Sequence, residues 1–172
     1  MNIAIIFAGG VGARMGAAIP KQFLEICGKP VLAHTLGLFQ SHSEIDAIQI
    51  VAAKDCFSRV EEIVRRYGVS KCCGIAEGGT SAQDSIYSGL KAVAEKYPSD
   101  TVVLLHDGVR PYVKPEVISA NIAGVKANGN AVTFTPCFET LVLSEDGRRI
   151  SDIPPRRMSY SAQAPQSFRL GD

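Results

Sequence analysis

Arg14 and Lys21 close a glycine-rich stretch that begins at Ala8-Gly9-Gly10-Val11-Gly12 and is entered directly from the apolar run Ile3 to Phe7. A run of that length, rich in branched residues, has the character of a buried strand, and glycines just past a strand let backbone N–H groups approach an anion without side-chain obstruction. Cations beyond such glycines could hold a nucleoside triphosphate and neutralise its charge. Two better-known glycine loops do not fit. The dinucleotide fingerprint places its third glycine where Met15 stands, counting from Gly10 and Gly12, which disfavours a dinucleotide oxidoreductase. The ATP-type P-loop requires Gly-Lys followed by Ser or Thr, whereas Gly16 is followed by Ala17. The alternative reading is a plain strand-to-helix turn, and the two cations are what weigh against it.

Two further segments carry residues of the same character. Glu77-Gly78-Gly79-Thr80-Ser81 is a second glycine turn, and Ser81 with Asp84 three residues on matches a capping arrangement for a following helix. His106-Asp107-Gly108-Val109-Arg110-Pro111 follows the most apolar strand, placing a carboxylate and a guanidinium just past its end. His106 itself reads as a packing residue at the strand end. Arg156-Arg157 is either a solvated charge pair or an anion clamp.

The elements that must position these residues alternate. After the first strand the pattern predicts a helix over Val31 to Gln40, a strand over Ile48 to Ala53, a helix over Cys56 to Tyr67 ended by Gly68, and a weak strand over Lys71 to Ile75. A helix through Ile86, Leu90 and Val93, a strand over Thr101 to Leu105, a helix over Glu116 to Ala127 and a strand over Ala131 to Thr135 follow. Strands apolar on both faces and separated by helices imply an α/β fold, a mainly parallel sheet covered by helices on both faces. Such sheets bind ligands at the carboxyl ends of their strands, where the three segments would converge. Beyond Pro136 the pattern changes to a hairpin: Glu139 to Leu143 alternates, Glu145-Asp146-Gly147 turns, and Arg148 to Ile153 returns. A lone hairpin is marginally stable and must pack on something, such as a second subunit.

Composition bounds the classes of function. The chain has 172 residues, enough for one domain with its own core, and its net charge of +1 argues against a nucleic-acid-coating protein. Cys27, Cys56, Cys72, Cys73 and Cys137 lack metal-ligand spacing and read as reduced, buried, small apolar residues of a cytoplasmic protein. No leader or membrane-length apolar stretch is predicted.

Taken together, Ala-Gly-Gly-x-Gly-x-Arg-Met, Pro20-Lys21-Gln22, Gly78-Gly79, Asp84-Ser85, His-Asp-Gly-Val-Arg-Pro and Ala164-Pro165-Gln166 resemble the cytidylyltransferases that act on polyol phosphates, in order and with family-like spacing. That family comprises the methylerythritol phosphate enzyme of isoprenoid synthesis and the ribitol phosphate enzyme of cell-wall or capsule synthesis. The resemblance implies a Rossmann-like nucleotidyltransferase domain over residues 1–172, with 137–157 as a protruding dimerisation arm. It also implies that CMP passes from CTP to a phosphorylated polyol with release of pyrophosphate, ribitol 5-phosphate being slightly favoured over 2-C-methyl-D-erythritol 4-phosphate.

By the same resemblance, backbone groups around Ala8, Gly9 and Gly78, with the Ser85 hydroxyl, would read the cytosine edge, and Gly10 and Gly12 would approach the phosphates. Arg14 and Lys21 would hold the triphosphate and stabilise charge at the α-phosphorus. Asp107 would coordinate Mg2+, Arg110 would face the polyol phosphate, and Thr140 and Arg156 would grip that phosphate in the neighbouring subunit of a homodimer. No nucleic acid or membrane partner is implied. Ala164 stands where a threonine is common in the family, and the family's usual C-terminal segment, with a second acidic ligand and a further lysine, is absent from these residues. A non-catalytic CTP-binding protein or a truncated inactive form is the alternative. Because Arg14 and Lys21 fall on a loop, Arg14→Ala and Lys21→Ala should each lower turnover by more than they weaken the fold. Paired activity and melting measurements check this, and matching losses in both would contradict it.

Overall fold

Ile3, Ala4, Ile5 and Ile6 are fully buried, so the first strand, β1 (Asn2–Phe7), is apolar on both faces because both are covered. The computed structural model describes residues 1–9 and 19–172. The next elements are β2 (Glu25–Ile26), β3 (Lys29–Pro30), α1 (Val31–Ser41), β4 (Ala47–Ala52), α2 (Phe57–Arg66) and β5 (Cys72–Glu77). They are followed by α3 (Ala82–Ala94), β6 (Val102–Asp107), α4 (Pro115–Asn128), β7 (Asn130–Pro136) and β8 (Tyr160–Arg169).

Six strands form one sheet in the order β5-β4-β1-β6-β8-β7. The first four are mutually parallel, and β8 is antiparallel to both neighbours. The sheet is therefore mixed but mostly parallel. Side chains alternate across it. Ala4, Ile6, Ile48, Ile50 and Leu104 meet α1, α2 and α4 on one face, through Leu32, Leu36, Phe39, Val60, Ile63, Ile118 and Ile122. On the other face Ile3, Ile5, Val51 and Val103 meet α3 through Val93 and Leu90. Helices thus cover both faces, three against one.

The helices end where the sequence places their ends. Gly68, at φ +63°, stops the chain just past α2, and Gly129, at φ +88°, does so past α4. The pair β2 and β3, which the periodicity did not predict, is a two-residue hairpin turned at Cys27 and Gly28, both at positive φ. Larger differences lie toward the C-terminus. β8 inserts between β6 and β7 and runs through Pro165, a segment read from sequence only as a motif. The hairpin expected over 139–153 is reduced to one bridge, Leu143 with Asp152, and its turn is held by Asp146, which accepts from the N–H groups of Arg148 and Arg149 at 2.8 Å. With nothing among the described residues packed over it, a two-stranded ribbon gains little from extending its ladder. The cysteines are unpaired as expected, but none is fully buried and Cys27 is exposed.

Leu104, at the centre of β6 and fully buried, tests this packing. Leu104→Ala should cost about 2–5 kcal/mol through lost burial and a residual cavity, read as a lower urea midpoint at unchanged slope.

Candidate active site

Parallel pairing levels the strand ends. Phe7 stands opposite Val51 on one side and Asp107 on the other, so the segments leaving β1, β4 and β6 emerge at one rim. Beneath that rim a cleft of about 370 Å³ is lined by Gly9, Gly78, Gly79, Ser81, Ser85 and Asp107 among others. Two adjoining hollows continue it. Asp107 is shared with one of about 160 Å³, which also holds Arg110, Gln163 and Ala164. Arg110 and Ala164 are shared in turn with one of about 790 Å³ that Lys21, Glu25 and Tyr112 line.

The glycine turn after β5 is fixed by its own helix. Ser81 Oγ accepts from the Asp84 N–H at 3.0 Å and Asp84 Oδ2 accepts from the Ser81 N–H at 3.1 Å, a complete capping box at the start of α3. The Thr80 hydroxyl adds a second bond to the Asp84 carboxylate, at 3.0 Å. The Ser81 side chain, then Thr80 and the Ser81 N–H, hold the Asp84 carboxyl below its usual 3.8. Ser85 Oγ accepts from the Gly79 N–H at 3.1 Å. A Cβ on Gly79 would collide with Asp84, so only glycine lets the turn lie this close to the helix.

Lys21 is placed by the two residues after it. Gln22 is buried and donates from Nε2 to the Ala8 carbonyl at 2.8 Å, tying this turn to the exit of β1. Phe23 is buried beneath the Arg59 guanidinium, 4.4 Å from its ring centre. Asp107 and Arg110 pair at 2.6 Å while half exposed, and Arg110 Nη1 donates to Gln163 Oε1 at 2.9 Å. His106 packs at the end of β6 against Phe39, with ring centres 5.0 Å apart, as the packing reading expected. Burial pushes its pKa below the usual 6.5.

The structure therefore brings Gly9, Gly78, Ser85, Asp107, Arg110 and Lys21 to adjoining hollows on one rim. Ala8 lies beneath them, its N–H donating to the Val51 carbonyl at 2.7 Å. Gly10, Gly12 and Arg14 lie outside the described residues. Thr140 and Arg156 are exposed on the segment between β7 and β8 and line none of these three hollows. Gln22 and Gln163 were not singled out from sequence; the Pro-Lys-Gln triplet was the signal available for the first. Among the described residues no three His, Cys, Asp or Glu side chains gather to hold a metal. No helix among them is long and apolar enough to cross a membrane.

The same architecture occurs in the crystal structure of 4-diphosphocytidyl-2C-methyl-D-erythritol synthase from Anaerococcus prevotii, with a TM-score of 0.82, 31% sequence identity, and coverage of 98% of this chain and 70% of that one. Fold and cleft together define a nucleotidyltransferase. The model of the family IspD, 2-C-methyl-D-erythritol 4-phosphate cytidylyltransferase, matches residues 2–171, and the chain belongs to that family. Among its relatives, the ribitol-5-phosphate cytidylyltransferase of Streptococcus agalactiae serotype III is 46% identical, over 100% of this chain and 72% of that protein. The 2-C-methyl-D-erythritol 4-phosphate cytidylyltransferase of Geobacter metallireducens is 39% identical, over 98% of this chain and 72% of that protein.

Removing the Ser81 hydroxyl tests the cap that shapes the cleft wall. Ser81→Ala should cost about 1 kcal/mol of stability. The Asp84 carboxyl should then titrate closer to 3.8 in an NMR titration. The native carboxylate binds its proton less readily than the unfolded one, so its stabilisation is complete above the unfolded value and is lost as pH falls through the lower native value.

Proposed function

We propose that this protein transfers CMP from CTP to ribitol 5-phosphate and releases pyrophosphate. It is a cytidylyltransferase, and its reaction class is CTP-dependent transfer to a phosphorylated polyol. The observation that carries the reading is the run of adjoining hollows from the Gly78 and Ser85 wall, past Asp107, to Arg110 and Lys21. The choice of acceptor is supported by identity of 46% to the ribitol-5-phosphate relative against 39% to the methylerythritol one.

The chemistry follows from charge. An oxygen of the polyol phosphate attacks the α-phosphorus of CTP, a new P–O bond forms, and the bond to the β-phosphate oxygen breaks with its electrons leaving on pyrophosphate. The second pKa of a phosphate monoester is about 6, so the nucleophile is largely ionised at neutral pH and no general base is needed. Like charge opposes the approach, and the protein's contribution is alignment and cations. Lys21 and Arg110 supply positive charge along the path, and Arg14 would add to it. The Gly79 turn and Ser85 would seat the base against the wall of the smaller cleft, with Gly9 at its mouth.

Asp107 offers a single exposed carboxylate, a donor set that fits magnesium completed by substrate phosphates rather than by a protein cage. Bound there, the ion would neutralise charge on the triphosphate. Asp107 would exchange its pairing with Arg110 for that role, freeing the guanidinium for the acceptor phosphate.

The segment between β7 and β8 exposes Leu141, Val142, Leu143, Ile150 and Ile153, apolar side chains of the kind that interaction surfaces gather. We assign it to pairing of two copies, which would carry Thr140 and Arg156 to the partner's acceptor hollow. The five free thiols accord with a cytoplasmic protein.

Pyrophosphate release should be at least about tenfold faster in kcat/KM with ribitol 5-phosphate than with 2-C-methyl-D-erythritol 4-phosphate, a difference of roughly 1.4 kcal/mol. The reverse preference overturns the acceptor assignment, and CTP binding without turnover of either overturns the activity. Arg156→Ala should raise KM for the acceptor while CTP affinity stays within about twofold, measured by calorimetry beside steady-state kinetics.

A further inference from the structure

The turn from Asp107 to Arg110 carries both charges at the meeting point of the hollows, and a surface turn of this length would ordinarily be mobile. Here its backbone is tied from several sides. The Gly108 N–H donates to the Phe7 carbonyl at 2.8 Å, and the Arg110 N–H donates to the Asp107 carbonyl at 3.1 Å. A Cβ on Gly108 would come within 2.8 Å of the Phe7 oxygen and 2.9 Å of Leu32, so the turn is pressed onto β1 and α1. Two of its carbonyls are taken by buried side chains, one from α1 and one from the end of β6. Thr35, in the middle of α1, donates from Oγ1 to the Gly108 carbonyl at 2.8 Å. His106 meets the Arg110 carbonyl through Nε2 at 3.1 Å, and since a carbonyl only accepts, Nε2 carries the proton.

Thr35 is the telling residue. It is fully buried on a helix face otherwise made of Val31, Leu32, Ala33, Leu36 and Phe39, where valine would pack equally well. A buried hydroxyl is costly unless bonded. Its bond back along the helix, to Val31, is long at 3.3 Å, and the short one reaches across to the turn.

We infer that Thr35 and His106 are positioning residues for the transfer step: they fix the carbonyls of Gly108 and Arg110 and so set the directions in which Asp107 and Arg110 present their charges. This rests on the activity proposed above for the part that concerns turnover. The backbone part stands apart from it.

The experiment pairs variants that keep shape with variants that keep the donor, in the full chain. Thr35→Val removes the hydroxyl at constant shape, and Thr35→Ser keeps it. His106→Asn shortens the donor's reach, and His106→Gln keeps it near the Nε2 position. Amide exchange of residues 107–110 should quicken by about tenfold to a hundredfold in Thr35→Val and His106→Asn, the span expected when a buried carbonyl loses its partner. It should return to within about threefold of the unsubstituted rate in Thr35→Ser and His106→Gln. Turnover with CTP and ribitol 5-phosphate should fall by a similar factor in the first two variants, with CTP affinity by calorimetry within about twofold.

Unchanged exchange in the turn overturns the inference, as does CTP affinity falling in step with turnover. If Thr35→Val does not fold, the His106 pair decides by the same readouts. An unsubstituted protein without turnover on either polyol phosphate strikes the activity, while the exchange data still decide whether these two side chains hold the turn.

Discussion

Parallel pairing of β4, β1 and β6 in one register is the constraint from which the rest follows. It sets Val51, Phe7 and Asp107 side by side, so that three connections far apart in sequence leave the sheet at one level. Parallel strands require crossovers, and the crossover helices bury both faces of the sheet and leave its carboxyl edge open. The hollows are thus a by-product of topology before any side chain is chosen. Gly79, Ser85, Asp107 and Lys21 line that edge, and in the proposed function they adapt it to a charged ligand.

The residues proposed for the chemistry on that edge are held by neighbours, Asp107 by Arg110 itself. Lys21 is held through Gln22 and Phe23, Ser85 through the capping box of Ser81 and Asp84, and Arg110 through Gln163. Catalysis by alignment and charge asks for this arrangement, since fixed donors need not reorganise as the reaction proceeds. Lys21 is half-buried and its neighbours Gln22 and Phe23 are buried, while Arg110 is exposed and its partner Gln163 half-buried.

Legibility in the sequence divides along the same line. β1, β4, β6 and the four long helices could be read because their apolar residues form local runs or recur at helical spacing. The place of Gly78, Ser85, Asp107 and Arg110 at the rim could be read because the segments that carry them follow apolar strands whose carboxyl ends lie together. β8 could not: Tyr160 to Arg169 contains a proline and few branched residues, and its extended form is imposed by β6 and β7 on either side, a case of tertiary context overriding propensity. Residues 139–153 err in the opposite direction. Their alternation is genuine, yet alternation alone does not supply a surface to pack on. Gln22 and Thr35 were opaque for a related reason, because a polar residue inside a buried stretch reveals its partner only when the fold brings Ala8 or Gly108 against it.

β8 begins where the exposed segment ends, runs past Gln163 and Ala164, and finishes beside Val102 at the amino end of β6. Paired with β7 along most of its length and with β6 over Gln166–Arg169, it is a rod set inside the sheet rather than a flap on its border. A pull along its axis would load all of its cross-links together, in shear, instead of peeling them one at a time. Whatever grasps that outer segment therefore holds a handle whose shaft is bonded, at Gln163, to the Arg110 guanidinium.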